Sequence, residues 1–141
     1  MNMKKRFSTE KKTDYYLIYT LAFGIIGLIL YLQFYLNRKS LIWSHDGVPQ
    51  HLNSLAYYGE YLRNILHSVF VEHKFEILMW DMHIGYGSDI LTTLHYYVIG
   101  DPLTLLSVFV SPEKTEYLYA FLIFLRIYLA GIAFSRYCFY H

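Results

Sequence analysis

Cysteine is almost absent from this sequence of 141 residues, since Cys138 is the only one. A single cysteine excludes an internal disulfide and any zinc site built from cysteines. Charged side chains are also scarce, at 16% of the chain, and the formal net charge is only +1. Because no strongly basic region is present, we expect no nucleic-acid partner. The sequence also lacks internal repeats and low-complexity segments.

Apolar and aromatic residues dominate what remains. Hydrophobic residues make up 55% of the chain and aromatic residues 20%, with 16 Tyr and 10 Phe. That is too apolar and too aromatic for an ordinary soluble domain. It suits a protein at membrane interfaces, where amphipathic rings are favoured. We therefore expect membrane lipid to be a direct partner.

Residues 15–36 form the first predicted membrane span. This run of 22 residues carries no charge and would extend about 33 Å as a helix, enough to cross a bilayer. A cleaved signal peptide would have a shorter apolar region and a small-residue cleavage site. The residues after Leu36 contain no Ala-x-Ala, so an uncleaved anchor is favoured.

Residues 117–138 form the second predicted span. Its first 19 residues, 117–135, contain a single charged side chain, Arg126. Ser111-Pro112-Glu113 precedes it and is typical of a helix start. Two spans and one loop have little core of their own to bury. We therefore expect this chain to be the N-terminal piece of a longer multispan protein.

The charge layout predicts an orientation in the membrane. Residues 1–14 carry five basic and two acidic side chains, whereas residues 37–116 carry five basic and nine acidic ones. Basic segments stay in the cytoplasm, so residues 1–14 are predicted to be a cytoplasmic tail. Residues 37–116 then form an extracellular loop of a multi-pass protein in the cytoplasmic membrane.

The loop contains two predicted interfacial helices. Residues 48–70 have apolar side chains at helical spacing, with Tyr57, Glu60 and Asn64 on the opposite face. A second, shorter helix over residues 102–110 cannot span a bilayer. Residues 75–91 have no helical period, and we expect an ordered loop there. The predicted fold class is thus an all-α membrane protein.

Asp46 is the leading candidate for chemistry, because it lies a few residues beyond the first span, where lipid and water meet. Its carboxylate could act as general base toward an acceptor hydroxyl. It could also bind a divalent cation, Mg²⁺ or Mn²⁺, that neutralises a donor phosphate. The alternative is an N-terminal cap for the following helix.

Arg126 is the second candidate, because a guanidinium within a membrane span is costly and usually faces a partner or a wet cavity. It could hold a donor phosphate bidentately. The alternatives are a structural ion pair, or a break between two shorter apolar segments.

The loop contributes further polar and aromatic candidates. Asp81, His83 and Asp89 could hydrogen-bond a sugar or an acceptor, and the alternative is an ordinary solvated loop. Trp80, Tyr86 and Tyr97 could stack against sugar faces, and the alternative for these rings is interfacial anchoring and packing.

The order of these motifs resembles the YfhO family of bacterial multispan membrane proteins, which have the GT-C glycosyltransferase architecture. The matching elements, in chain order, are Asp46 with Gln50, an aromatic-rich stretch over 52–66, Gly85-Tyr86-Gly87, Tyr96-Tyr97, Asp101-Pro102-Leu103, and Arg126 before Ala130-Gly131. The chain departs from the family pattern at His51, where Tyr is frequent, and at Arg126, where Lys is frequent.

The resemblance implies transfer of a sugar from a polyprenyl-phosphate donor to a cell-surface polymer, outside the cytoplasmic membrane. It implies a catalytic role for Asp46 and a substrate-binding role for Gln50. The main alternative is a non-catalytic membrane protein, either a transporter or flippase-like subunit or an assembly factor for surface polymers. A bare two-span structural protein is the third hypothesis.

Overall fold

The computed structural model describes residues 3–140, with side chains from residue 12 onward. Within the predicted cytoplasmic tail, residues 1 and 2 and the side chains of residues 3–11 therefore lie outside the described part. The chain divides into two compact units. We call residues 1–40 with 123–141 the helix pair, and residues 41–122 the intervening unit.

Four α-helices and one short hairpin make up most of the described elements. The α-helices are α1 (Met3–Leu36), α2 (Asn53–Phe70), α3 (Ile90–Leu94) and α4 (Thr115–Tyr140). The hairpin strands are β1 (Trp80–Asp81) and β2 (Ser88–Asp89). Tighter and wider turns complete the intervening unit: π-helical turns at Gly47–Leu52 and His95–Ile99, and 3₁₀-helices at Pro102–Phe109 and Pro112–Lys114. With 74% helix and 3% strand, the predicted all-α class is confirmed.

Two helices in the described residues are long and apolar enough to cross a membrane, over Lys12–Leu36 and Pro112–Tyr140. None of the most apolar window of the first is buried against protein. So much exposed apolar surface is suited to lipid rather than to water. Helix α4 runs without interruption through Arg126, so the suggested break between two shorter apolar segments is wrong.

Helices α1 and α4 pack antiparallel within the helix pair. The Tyr15 hydroxyl lies 2.8 Å from Ser135 Oγ, and Tyr19 donates a hydrogen bond of 3.2 Å to the carbonyl of Tyr128. Further along α1, Gly27 lies beside the ring of Phe124. As the residue number on α1 increases, the residue number of its partner on α4 decreases, so the two helices run antiparallel.

The core of the intervening unit lies where α2 meets the 3₁₀-helix Pro102–Phe109. Gly59 permits a close approach, because a Cβ at this position would lie 2.7 Å from the carbonyl oxygen of Ser107. One turn later, Arg63 donates to the carbonyls of Ser107 at 3.0 Å and Val110 at 2.7 Å. These bonds give the carbonyl groups at the end of the 3₁₀-helix a charged donor, in addition to the backbone bond that Ser107 accepts from the Val110 amide.

The segment expected to be an ordered loop contains a short hairpin, whose two strands are each two residues long. Strands β1 and β2 are antiparallel, with Trp80 opposite Asp89 and Asp81 opposite Ser88. The turn between them includes Gly85 at φ 62° and Gly87 at φ 102°. Only glycine adopts such angles at little cost, which explains both residues at this turn.

Candidate functional site

A chain of hydrogen bonds joins three of the predicted site residues. The Tyr97 hydroxyl donates to Gln50 Oε1 at 3.0 Å, and Gln50 Nε2 donates to Asp46 Oδ1 at 3.3 Å. Tyr97 comes from the π-helical turn after α3, whereas Asp46 and Gln50 precede α2. The fold therefore brings together residues separated by about half the intervening unit, and we call this set the Asp46 chain.

The carboxylate of Asp46 does not cap the helix that follows it. Asp46 stands at the N-cap position of the turn Gly47–Leu52, but its side chain makes no capping hydrogen bond. Its backbone carbonyl instead accepts from the amides of Gln50 and His51. The capping alternative is therefore wrong for this side chain, which is exposed to solvent beside Gln50.

A second cluster surrounds Asp81. The Tyr57 hydroxyl of α2 donates to Asp81 Oδ2 at 2.5 Å. The other carboxylate oxygen, Oδ1, lies 2.8 Å from both the backbone nitrogen and the ring Nδ1 of His83. Both oxygens of Asp81 therefore have protein partners, and the cluster ties the hairpin to α2.

These contacts change the acidity of both groups. The hydrogen bond from Tyr57, followed by those from His83, lowers the pKa of Asp81 to about 2. Burial, followed by the hydrogen bond to Asp81, raises the pKa of Tyr57 above its ordinary value. A carboxylate with so low a pKa and with both oxygens occupied is a poor general base at neutral pH.

A cleft of about 810 Å³ opens beside the Asp81 cluster, and we call it the acidic cleft. Its volume lies within the range typical of small-molecule sites, roughly 300–1,000 Å³. Four carboxylates contribute to its lining: Glu60, Glu72, Glu76 and Asp81. The rings of Tyr57 and Tyr61, stacked at 6.5 Å, together with Asn64 and His83, also line it.

One wall of the acidic cleft is the irregular segment 71–83, held against α2 by side chains of that helix. Tyr61 donates to the carbonyl of Leu78 at 3.0 Å, and Ser68 donates to that of Lys74 at 2.8 Å. The bond between Tyr57 and Asp81 is the third connection. The spacing of these donors along α2 places them on one face of the helix.

Most of the chain matches one known protein family. Residues 18–141 match the family model described as "Bacterial membrane protein YfhO". The chain belongs to the YfhO family. This membership confirms the resemblance seen in the sequence, and together with the two apolar helices it makes the chain a membrane protein. No curated protein and no solved structure matches it.

Other predicted site residues of this YfhO-family chain lie elsewhere. Tyr86 is fully exposed at the hairpin turn and is not part of the cleft lining. Asp89 accepts a hydrogen bond from the amide of Thr92 and so caps α3, which gives it a structural role. Arg126 belongs to the helix pair and not to the intervening unit, and its role stays a prediction.

Sequence reasoning did not select Tyr57, Glu60 and Asn64 as site residues. They line the acidic cleft and follow one another at steps of three and four along α2. Their position on the polar face of an amphipathic helix was the available signal. That signal does not distinguish a cleft from a solvated surface.

The described residues offer few side chains that could bind a divalent cation. Within residues 12–140, no group of three or more His, Cys, Asp or Glu side chains could hold a metal ion. Asp46 supplies one hard carboxylate oxygen, the ligand type that Mg²⁺ and Mn²⁺ prefer. Mg²⁺ is commonly held by one or two carboxylates plus substrate phosphates. The residues fit a cation that a phosphate-bearing donor brings with it.

Proposed function

We propose that this YfhO-family protein is a membrane glycosyltransferase. It transfers a sugar from a polyprenyl-phosphate donor to a cell-surface polymer at the outer face of the cytoplasmic membrane. The observation that carries the proposal is the Asp46 chain, in which an exposed carboxylate that caps no helix accepts from Gln50, which in turn accepts from Tyr97.

In the proposed reaction, Asp46 takes the proton of an acceptor hydroxyl. The acceptor oxygen forms a bond to the anomeric carbon of the donor sugar. The bond between that carbon and the phosphate oxygen breaks, and its electron pair leaves with the polyprenyl phosphate. Gln50 orients the Asp46 carboxylate, and Tyr97 orients Gln50, because each donates to the next. Mg²⁺ or Mn²⁺, when bound with the donor, would neutralise phosphate charge.

The acidic cleft is the proposed binding site for a glycan. Sugar hydroxyls can donate to Glu60 and Asp81, Asn64 can both donate and accept, and the ring of Tyr61 offers an apolar face. No Lys or Arg of the described residues belongs to the cleft lining, so a polyanionic segment would be repelled. We therefore assign Asp81 and His83 to binding a neutral or amine-bearing part of a substrate.

The proposal includes an orientation and two further residues. The basic N-terminus lies in the cytoplasm and the intervening unit lies outside, following the charge layout of the sequence. Arg126 is assigned to the donor phosphate, and Tyr86 to a sugar face. The two clusters of the intervening unit share one run of chain, since the π-helical turn that contains Gln50 leads directly into α2, which contains Tyr57.

Replacing Asp46 by Asn tests the catalytic role. The protein is expressed from its natural reading frame and assayed in sealed right-side-out vesicles, with a polyprenyl-phosphate sugar and an acceptor polymer that cannot cross the membrane. Loss of a general base lowers rates by about 10²–10⁴-fold, so Asp46→Asn should transfer at least roughly a hundredfold more slowly. Its melting temperature should match the wild type, since the carboxylate caps no helix.

Glu113→Gln is the matched control, because it removes one exposed carboxylate of the intervening unit outside both clusters. It should transfer at the wild-type rate. Near wild-type transfer by Asp46→Asn would refute the catalytic role. Transfer only in inverted vesicles would refute the orientation.

The alternative function is a non-catalytic one, as a transporter or flippase-like subunit or an assembly factor for surface polymers. The observation that favours it is the acidic cleft, whose best-held carboxylate, Asp81, is occupied by Tyr57 and His83 and is suited to binding without proton transfer. Glycan binding by the wild type without any sugar transfer, under conditions that include Mg²⁺ and Mn²⁺, would support this alternative.

A further inference from the structure

The helix pair contains a cleft of its own, of about 540 Å³, at the end where α1 begins and α4 ends. Its lining consists of Lys12, Tyr16, Ile132, Arg136, Phe139 and Tyr140. We call it the basic cleft, since two of these residues are cationic and none is acidic.

The sequence spacing explains why these side chains converge. Lys12 and Tyr16 are four residues apart on α1, and Ile132, Arg136 and Tyr140 follow at steps of four on α4. Residues four apart share one face of an α-helix. Because the two helices are antiparallel, the start of α1 meets the end of α4, and the two cations arrive from different helices at one cleft.

Aromatic rings around the cleft indicate its depth in the membrane. The ring of Phe139 packs edge-on against the rings of Tyr15 and Tyr16, with distances between ring centroids of 5.0 Å and 6.1 Å. The Lys12 ammonium lies 5.7 Å from the centre of the Phe139 ring. Tyrosine is enriched at the level of lipid headgroups, where a ring meets hydrocarbon and a hydroxyl meets water. The basic cleft therefore lies where a lipid phosphate would be found.

We propose that the basic cleft binds the headgroup phosphate of an anionic glycerophospholipid. Basic pockets between membrane helices on the cytoplasmic side bind such headgroups. The planar Arg136 guanidinium can hold two phosphate oxygens, and Lys12 adds a second positive charge. Ile132 and Phe139 offer apolar contact to the glycerol and the upper acyl chain. The site is independent of sugar transfer, because none of its residues belongs to the Asp46 chain or the acidic cleft.

The test is a lipid titration of the purified full-length protein in neutral detergent, with bound lipid counted by native mass spectrometry. The probes are dioleoylphosphatidylglycerol, dioleoylphosphatidylcholine and undecaprenyl phosphate. The wild type should bind the phosphatidylglycerol in preference to the phosphatidylcholine. Undecaprenyl phosphate can also bind at the proposed donor site, so for this lipid the readout is the loss of binding caused by substitutions in the basic cleft. Each basic side chain near an anionic lipid raises the binding affinity roughly fivefold. The double variant Lys12→Gln/Arg136→Gln should therefore bind the phosphatidylglycerol about thirtyfold more weakly.

Two further variants make the result decisive. The double variant Arg38→Gln/Lys39→Gln removes the same charges just beyond the far end of α1 and should bind like the wild type. Lys12→Arg keeps the charge and should also bind like the wild type. Unchanged affinity in Lys12→Gln/Arg136→Gln, or equal binding of the phosphatidylcholine, would overturn the proposal. A greater loss of undecaprenyl phosphate binding than of phosphatidylglycerol binding in Lys12→Gln/Arg136→Gln would overturn the choice of a glycerophospholipid.

Discussion

The two units of the chain contain clefts of opposite charge. Among the side chains that the structure describes, from residue 12 onward, the cleft of the helix pair is lined by Lys12 and Arg136 and by no carboxylate, whereas the cleft of the intervening unit is lined by four carboxylates and by no Lys or Arg. A phosphate would be attracted to the first and repelled by the second. This difference in charge agrees with the two proposals, in which the helix pair binds a lipid phosphate and the intervening unit binds a glycan.

The units also differ in how their backbones are satisfied. Membrane helices pair their own backbone groups, so the helix pair needs only packing and a few hydroxyl contacts such as that of Tyr15. The irregular parts of the intervening unit depend on side chains instead. Arg63 pairs the carbonyls of Ser107 and Val110, and Thr104 donates to the carbonyl of Val98. We therefore expect single substitutions to have larger effects in the intervening unit.

The largest stability effect is expected at Gly59. In Gly59→Ala, the new Cβ would lie 2.7 Å from the Ser107 carbonyl oxygen, which is backbone and cannot rotate away. Overpacking of this kind costs about 1–3 kcal/mol, so thermal melting in detergent should fall by several degrees. Gly24→Ala is the control, since nothing lies within 4 Å of a Cβ there. Equal melting of the two variants would contradict the close packing of α2 on residues 102–109.

An intermediate, pH-dependent effect is expected in Tyr57→Phe. Tyr57 is the largest cause of the lowered pKa of Asp81, so the variant should let that pKa rise from about 2 toward its ordinary 3.8. A depressed carboxyl pKa stabilises the fold above the unfolded value and loses that effect as the pH falls. The melting difference between wild type and variant should therefore be full at pH 6 and shrink between about pH 4 and pH 2.

Tyr61→Phe is the matched control for this titration. Tyr61 donates to the backbone carbonyl of Leu78, which has no proton to gain. Its melting difference from the wild type should stay constant over the same pH range. A constant difference for Tyr57→Phe as well would show that Asp81 does not respond to Tyr57.

The smallest effect is expected in the helix pair, at Tyr15→Phe. This change removes the hydroxyl that lies 2.8 Å from Ser135 Oγ and keeps the ring contacts with Tyr16 and Phe139. Hydrogen bonds between membrane helices contribute about 0.6 kcal/mol on average. Unfolding measured in detergent should shift by about that amount. A loss larger than that of Gly59→Ala would reverse the comparison between the units.

Features encoded locally were predictable from the sequence. The two membrane helices follow from their apolar length, and their predicted ranges, 15–36 and 117–138, lie inside α1 and α4. Gly85 and Gly87 lie within the predicted ordered loop 75–91, and both have positive φ angles in the structure. The predicted helices over 48–70 and 102–110 correspond to a π-turn leading into α2 and to a 3₁₀-helix, so their positions were predictable but their winding was not.

Contacts between distant residues were not predictable in this way. Tyr57 and Asp81 are 24 positions apart, and Arg63 and Val110 are 47 apart. Neither pair leaves a periodic trace, because each depends on how α2 packs against irregular backbone. Pairing Gln50 with Tyr97 required the same tertiary information. The resemblance to a family indicated Gln50 and Tyr97 as members of one set of motifs, but it did not indicate the hydrogen bond between them.

The wall of the acidic cleft has a consequence for motion. Residues 71–80 are all exposed, so the wall buries little. It is held by the side-chain bonds from Tyr57, Tyr61 and Ser68, together with backbone bonds such as that from the Lys74 amide to the Ser68 carbonyl. Segments with few buried contacts open locally at a small fraction of the global unfolding free energy. The wall can therefore swing away while α2 stays folded, and its amides should exchange hydrogen faster than those of the helix. A ligand that bridges wall and helix would slow that exchange, so the exchange rate of the wall amides would report whether the cleft is occupied.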